Sequence, residues 1–90
     1  MEVWSMSLVR LLKEVAKNRN LKLNILKNGA IIVIKDGKAM LQIATVRDLY
    51  YFRYLDDNGA YVIYHINREI LEKILDKKAD EVGAIRIPDV

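Results

Sequence analysis

The chain reads as an α+β domain, and three observations predict it. Two turn dipeptides, Asn28-Gly29 and Asp36-Gly37, separate short runs rich in aliphatic and β-branched residues. A third, Asn58-Gly59, lies between two aromatic-rich runs. On either side of this strand-rich stretch, apolar residues recur at helical spacing. The expected layout is an N-terminal helix, an antiparallel sheet of about five strands (a meander plus a hairpin) and a C-terminal helix, with both helices on one sheet face. Ninety residues suit a single domain spanning 1–90.

In the first helix, Leu8, Leu11, Leu12, Val15 and Ala16 form an apolar stripe opposite Arg10, Lys13, Glu14 and Lys17. Ser5 or Ser7 is placed to cap its start, and Asn18-Arg19-Asn20 to end it. The meander occupies residues 21–44. Two-residue turns would pair Lys27 with Ala30 and Lys35 with Lys38, which sets the faces of all three strands. Leu21, Leu23, Ile25, Ile32, Ile34, Ala39, Leu41 and Ile43 then form the covered face. Lys22, Asn24, Leu26, Ile31, Val33, Lys35, Lys38, Met40 and Gln42 form the open one. On this phasing Ile32 and Leu41 are buried together, and Ile32→Ala costs about 2–5 kcal/mol. Leu26, Ile31, Val33 and Met40 leave an apolar patch on the open face that a second copy would cover.

Residues 45–55 admit two readings. Thr45 with Asp48 could open a short helix, whereas Tyr50, Tyr51, Phe52 and Tyr54 favour a strand. The turn residues that follow select the hairpin. It sets Tyr51, Arg53, Leu55, Val62, Tyr64 and Ile66 on one face, and Tyr50, Phe52, Tyr54, Tyr61, Ile63 and His65 on the other, core-side face. Asn67 is a good N-cap for a second helix whose stripe is Ile70, Leu71, Ile74, Leu75, Ala79 and Val82. Glu69–Lys73 and Lys77–Glu81 are spaced for ion pairs, and Gly83 for the helix end. Residues 84–87 can add a short edge strand.

Hydrophobic residues at 52% and charged residues at 30% are the balance of a folded protein. No apolar run has the length of a membrane span and no signal-peptide layout is evident, so a cytoplasmic location is expected. The net charge of +3 is uneven: residues 1–53 carry +6 and residues 54–90 carry −3. With no cysteine and one histidine, a thiolate site is excluded and a metal site has little support. Neither a nucleophile elbow nor a phosphate-cradling glycine loop occurs. His65 is expected as a packed strand residue rather than a general base. Enzyme activity and a cofactor are therefore not expected.

Asp48-Leu49-Tyr50-Tyr51-Phe52-Arg53, followed by Tyr61-Val62-Ile63-Tyr64-His65-Ile66, resembles the central hairpin of RelE/ParE-type toxins. In that family an L-Y-R-x-R strand precedes a Y-R-V-x-Y-x-I strand. Tyr51 and Val62 stand where the family has arginines, and a meander stands where it has helices. The resemblance implies metal-independent, ribosome-dependent RNA cleavage. In layout, the strands of residues 30–66 running into a helix after Asn67 are similar to coactivator-like single-stranded-DNA-binding domains.

From the residues themselves the leading expectation is a small non-enzymatic protein that binds single-stranded DNA or RNA. Lys22, Lys35, Lys38 and Arg53 on the open face would follow phosphates, while Tyr51 and Tyr64 would stack on bases. The alternative is an accessory or assembly subunit that docks another protein through its exposed sheet or helix. A toxin-like ribonuclease is third. In each case a homodimer is the expected state.

Overall fold

The computed structural model describes residues 3–56 and 59–87, with side chains from Leu8 onward. The first helix, α1 (Val3–Arg19), starts upstream of both Ser5 and Ser7, so neither is its N-cap. It stops as expected at Asn20, which turns to φ +61 while the Leu21 N–H donates back to Ala16 O at 2.9 Å. That six-to-one closure is a Schellman-type end, with asparagine taking the left-handed position.

Six strands follow: β1 (Lys22–Ile25), β2 (Ile31–Lys35), β3 (Lys38–Val46), β4 (Leu49–Tyr54), β5 (Ala60–Ile63) and β6 (Ile85–Ile87). They lie in sequence order in one antiparallel sheet. The count is one above the five expected because the segment at 84–87 does join the edge. Residues 45–55 are strand rather than helix, and β3 runs on to a tight turn at Arg47-Asp48. Among the described residues the second hairpin has the expected faces: Tyr51 pairs with Val62, and Phe52 with Tyr61. The expected two-residue turn at Asn58-Gly59 does not form: the Tyr54 N–H donates to Gly59 O at 2.8 Å and Arg53 pairs with Ala60, so Gly59 stands at the strand end opposite Tyr54, while Asn58 lies outside the described residues.

The meander departs from expectation in the phase of β2. The first turn holds three residues, not two. The Leu26 N–H donates to Ala30 O at 2.8 Å, the Gly29 N–H donates to Leu26 O at 3.0 Å, and Gly29 sits at φ +94. Asn28 Oδ1 accepts from the Ala30 N–H at 3.0 Å. This is the three-residue hairpin with a left-handed glycine. It pairs Ile25 with Ile31 instead of Ile32, a one-residue slip that turns β2 over. At the other end Asp36-Gly37 does form the two-residue turn, with φ +52 and +79, and Lys35 pairs with Lys38. A bulge then restores the phase of β3: Ile34 pairs with Ala39 but Val33 with Leu41, leaving Met40 as the extra residue. Ile31 and Val33 are therefore core residues, and Ile32 and Ile34 face away from the helices. Ile32 and Leu41 are not buried together.

The second helix, α2 (Arg68–Leu75), is capped as expected, with Asn67 Oδ1 accepting from the Ile70 N–H at 2.8 Å. Asn67→Ala is expected to cost about 1 kcal/mol in urea unfolding, with an unchanged m-value. A cost near zero would mean that the cap does not hold this helix. The helix is shorter than the sequence stripe suggests. Lys77 takes φ +62, the Lys78 N–H donates to Lys73 O and the Lys77 N–H to Ile74 O, so the chain closes a second Schellman end. A 3₁₀ turn at Ala79–Glu81 follows. The break removes the expected Lys77–Glu81 pair; Lys77 instead binds Asp56, and Glu81 lies 3.9 Å from Lys73.

Both helices cover one sheet face. Leu8, Leu12 and Val15 of α1 and Leu71, Ile74 and Leu75 of α2 share a buried cluster with Ile31, Val33, Leu41, Ile43, Phe52, Tyr54 and Ile63. Within it Phe52 stacks on Tyr61 with centroids 5.3 Å apart, and Tyr54 meets both rings edge-on. The Tyr54 hydroxyl donates to Ile74 O at 2.6 Å, which satisfies the one polar atom this ring carries inward. The ends of the two helices are tied by Arg19, which donates to both Asp76 oxygens at 2.7 and 3.2 Å. That bidentate bond lowers the Asp76 pKa and raises that of Arg19.

Candidate interface on the open sheet face

Among the described residues no helix lies on the second face of the sheet. Strand register defines its rows. One runs Asn24, Ile32, Gln42, Arg53, Ala60, Ile87, and the next runs Ala44, Tyr51, Val62, Ile85. Beyond these lie Ile34 and Ala39 toward one end, and Val46 and Leu49 toward the other. None of these side chains is buried, and Val46 and Ile85 are 52% and 55% exposed. The solvated face of an antiparallel sheet usually alternates to polar residues. Here it is mostly Ile, Val, Leu and Tyr, with one polar row through Asn24, Gln42 and Arg53. Its charged members are Lys22 and Arg53, and no carboxylate lies in these rows.

The structure divides the six residues expected to bind nucleic acid. Lys22, which pairs with Ile34, lies on the open face with Tyr51 and Arg53. Tyr64 lies just past β5 at the rim and is 67% exposed. Tyr51 and Tyr64 are not cross-strand partners, since Val62 is opposite Tyr51. Lys35 and Lys38 belong to the helix side. They line a groove of about 640 Å³ with Met40, Asp56, Leu75, Asp76 and Lys77, and Lys35 is close enough to help depress the Asp76 pKa, after the larger effects of Arg19 and Lys78. The turned-over β2 strand explains this: once Ile32 and Ile34 occupy the open face, Lys35 and its partner Lys38 go to the other. The three-lysine cluster expected on one face does not form.

The apolar patch expected on the open face also has different members. Ile31 and Val33 are core residues and Met40 packs against the core; Ile32, Ile34, Val46, Leu49, Val62 and Ile85 take their place. The signal for Val62 and Ile85 was present in the alternation of their strands, but the signal for Ile32 depended on the register of β2. His65, expected to pack in a strand, is exposed beyond β5. It lines a second cavity of about 350 Å³ with Thr45, Arg47, Asp48, Tyr50, Tyr64 and Ile66.

Among the described residues no group of three or more His, Cys, Asp or Glu is placed to hold a metal ion. None of their helices is long and apolar enough to cross a membrane. No protein-family model, curated protein or solved structure matches the chain.

Proposed function

We propose that this chain is a non-enzymatic assembly module that pairs with a second copy of itself through the open face of its sheet. The observation that carries the reading is the apolar character of that face across five strands, from Ile34 and Ile32 to Val62 and Ile85. Contiguous apolar patches of this extent are seldom left in water. Six strands about 4.8 Å apart and three residue rows along them give a face of roughly 500 Å². Two copies would then bury about 1,000 Å², where specific interfaces begin. Packed face to face about 10 Å apart, the sheets would form the middle of a four-layer sandwich with the helices outside. Tyr and Arg, the residue types enriched at interface centres, are present as Tyr51 and Arg53.

Single-stranded nucleic acid is the second reading, favoured by Lys22, Tyr51 and Arg53 sharing this face. The two readings differ in their response to salt and to apolar substitution. Light scattering on a size-exclusion column should give a dimer whose dissociation constant changes little from low to high salt. Val62→Asp would place an unpaired charge in the interface and should weaken the dimer on the order of a hundredfold. Ile85→Lys, at an exposed position of the same face on the edge strand, should weaken the dimer too, and circular dichroism showing both variants folded separates this from misfolding. A monomer at high concentration, together with salt-sensitive anisotropy of a labelled single strand, would favour nucleic acid instead.

A further inference from the structure

The turn between β3 and β4 makes two choices that cost the fold something and that the folded chain does not repay. Arg47 sits at φ +58, where a side chain other than glycine, asparagine or aspartate is uncommon. Thr45, two residues before it, buries its hydroxyl oxygen with no hydrogen-bond partner among the described residues. Glycine at 47 and valine at 45 would serve the hairpin better. Both residues line the 350 Å³ cavity between this turn and the connection from β5 to α2. Strained backbone persists where something other than the fold uses it.

We propose that this cavity binds a small phosphate ester. Most of the residues that line it carry hydrogen-bond donors: Arg47, Tyr50, Tyr64 and His65. Asp48 supplies the sole carboxylate in the lining. Arg47 makes no ion pair among the described residues, so its planar fork is free to grip an oxyanion through two bonds. The cavity is larger than a bare phosphate needs. Tyr64, 67% exposed at its mouth, offers a ring on which a flat organic portion stacks, and Asp48 accepts from a ligand hydroxyl.

Titration of the whole chain with AMP, orthophosphate and adenosine, followed by backbone amide shifts in NMR, tests the site. The expected result is saturable shifts at residues 45, 47, 48, 64 and 65 with AMP, weaker ones with orthophosphate, and little response to adenosine. Adenosine binding as well as AMP would overturn the oxyanion assignment. So would the absence of saturable shifts at about 10 mM ligand, or shifts confined to surface lysines elsewhere. Arg47→Gly separates the site from the fold. This variant should melt no lower than the wild type, yet bind AMP roughly tenfold or more weakly. Unchanged affinity, or a lower melting temperature, would mean that Arg47 serves the hairpin alone.

Discussion

Phe52→Ala is expected to remove about 3–5 kcal/mol of stability, the largest loss from any single truncation among the described residues. Phe52 is wholly buried in the middle of the sheet, on the face both helices cover. Its ring stacks on Tyr61 across the β4–β5 pair and takes the edge of Tyr54, which in turn bonds to α2 through Ile74 O. Truncation removes the ring's own burial and leaves a cavity that the two neighbouring rings, each held in place, cannot fill. A domain of this length has on the order of 5–13 kcal/mol in total, so the variant would sit near its unfolding midpoint in mild urea. Urea unfolding followed by circular dichroism gives the number directly. A loss below about 1 kcal/mol would show that Phe52 is not the centre of the core.

Much of this core is legible in the sequence because periodicity encodes it locally. Leu8, Leu12 and Val15 repeat at helical spacing, and Phe52, Tyr54, Tyr61 and Ile63 alternate on two strands whose pairing keeps the expected parity although Gly59 lies opposite Tyr54. The Asp36-Gly37 turn is legible for the same reason: both residues tolerate the positive φ they adopt. The phase of β2 is not local. All five of its residues except Lys35 are aliphatic, so either face could go inward, and the choice depends on one extra turn residue and one bulge. Asn28-Gly29 suits both a two-residue and a three-residue loop, and Met40 carries no mark of a bulge.

The same limit applies at the two positions where long cationic side chains take positive φ. Lys77 ends α2 and Arg47 turns β3 into β4, although neither residue type signals a break. Tertiary bonds help hold the first, since Lys77 binds Asp56 and lies 5.8 Å from the Tyr54 ring centre. The composition of the open face follows from β2 as well. With the strand turned over, Lys35 and Lys38 leave that face, and Ile32 and Ile34 replace Ile31 and Val33 on it. The face loses two cations while its β2 residues stay aliphatic.

Adjacent alanine substitutions on β2 test that phase. Ile31 is 1% exposed, pairs with Ile43 and belongs to the buried cluster, so Ile31→Ala is expected to cost about 2–5 kcal/mol whatever the protein concentration. Ile32 pairs with Gln42 on the face without a helix and is only half-buried. In dilute monomer its truncation should cost roughly 1 kcal/mol or less, for the part of the side chain its strand neighbours cover. The difference between the two variants is the phase of the strand, because they share residue type, secondary structure and nearly the same place along the chain. With two-residue turns at both ends the order would reverse, and Ile32→Ala would be the damaging change. Protein concentration then adds a second reading from the same samples. If the open face pairs with a second copy, the Ile32→Ala cost should grow as concentration rises into the dimer range, since the unfolding midpoint of an associated state depends on mass action. The Ile31→Ala cost relative to wild type should stay nearly constant over that range. Equal losses in both variants at low concentration would mean that β2 is buried on both faces within one chain, and the face proposed as the interface would already be covered.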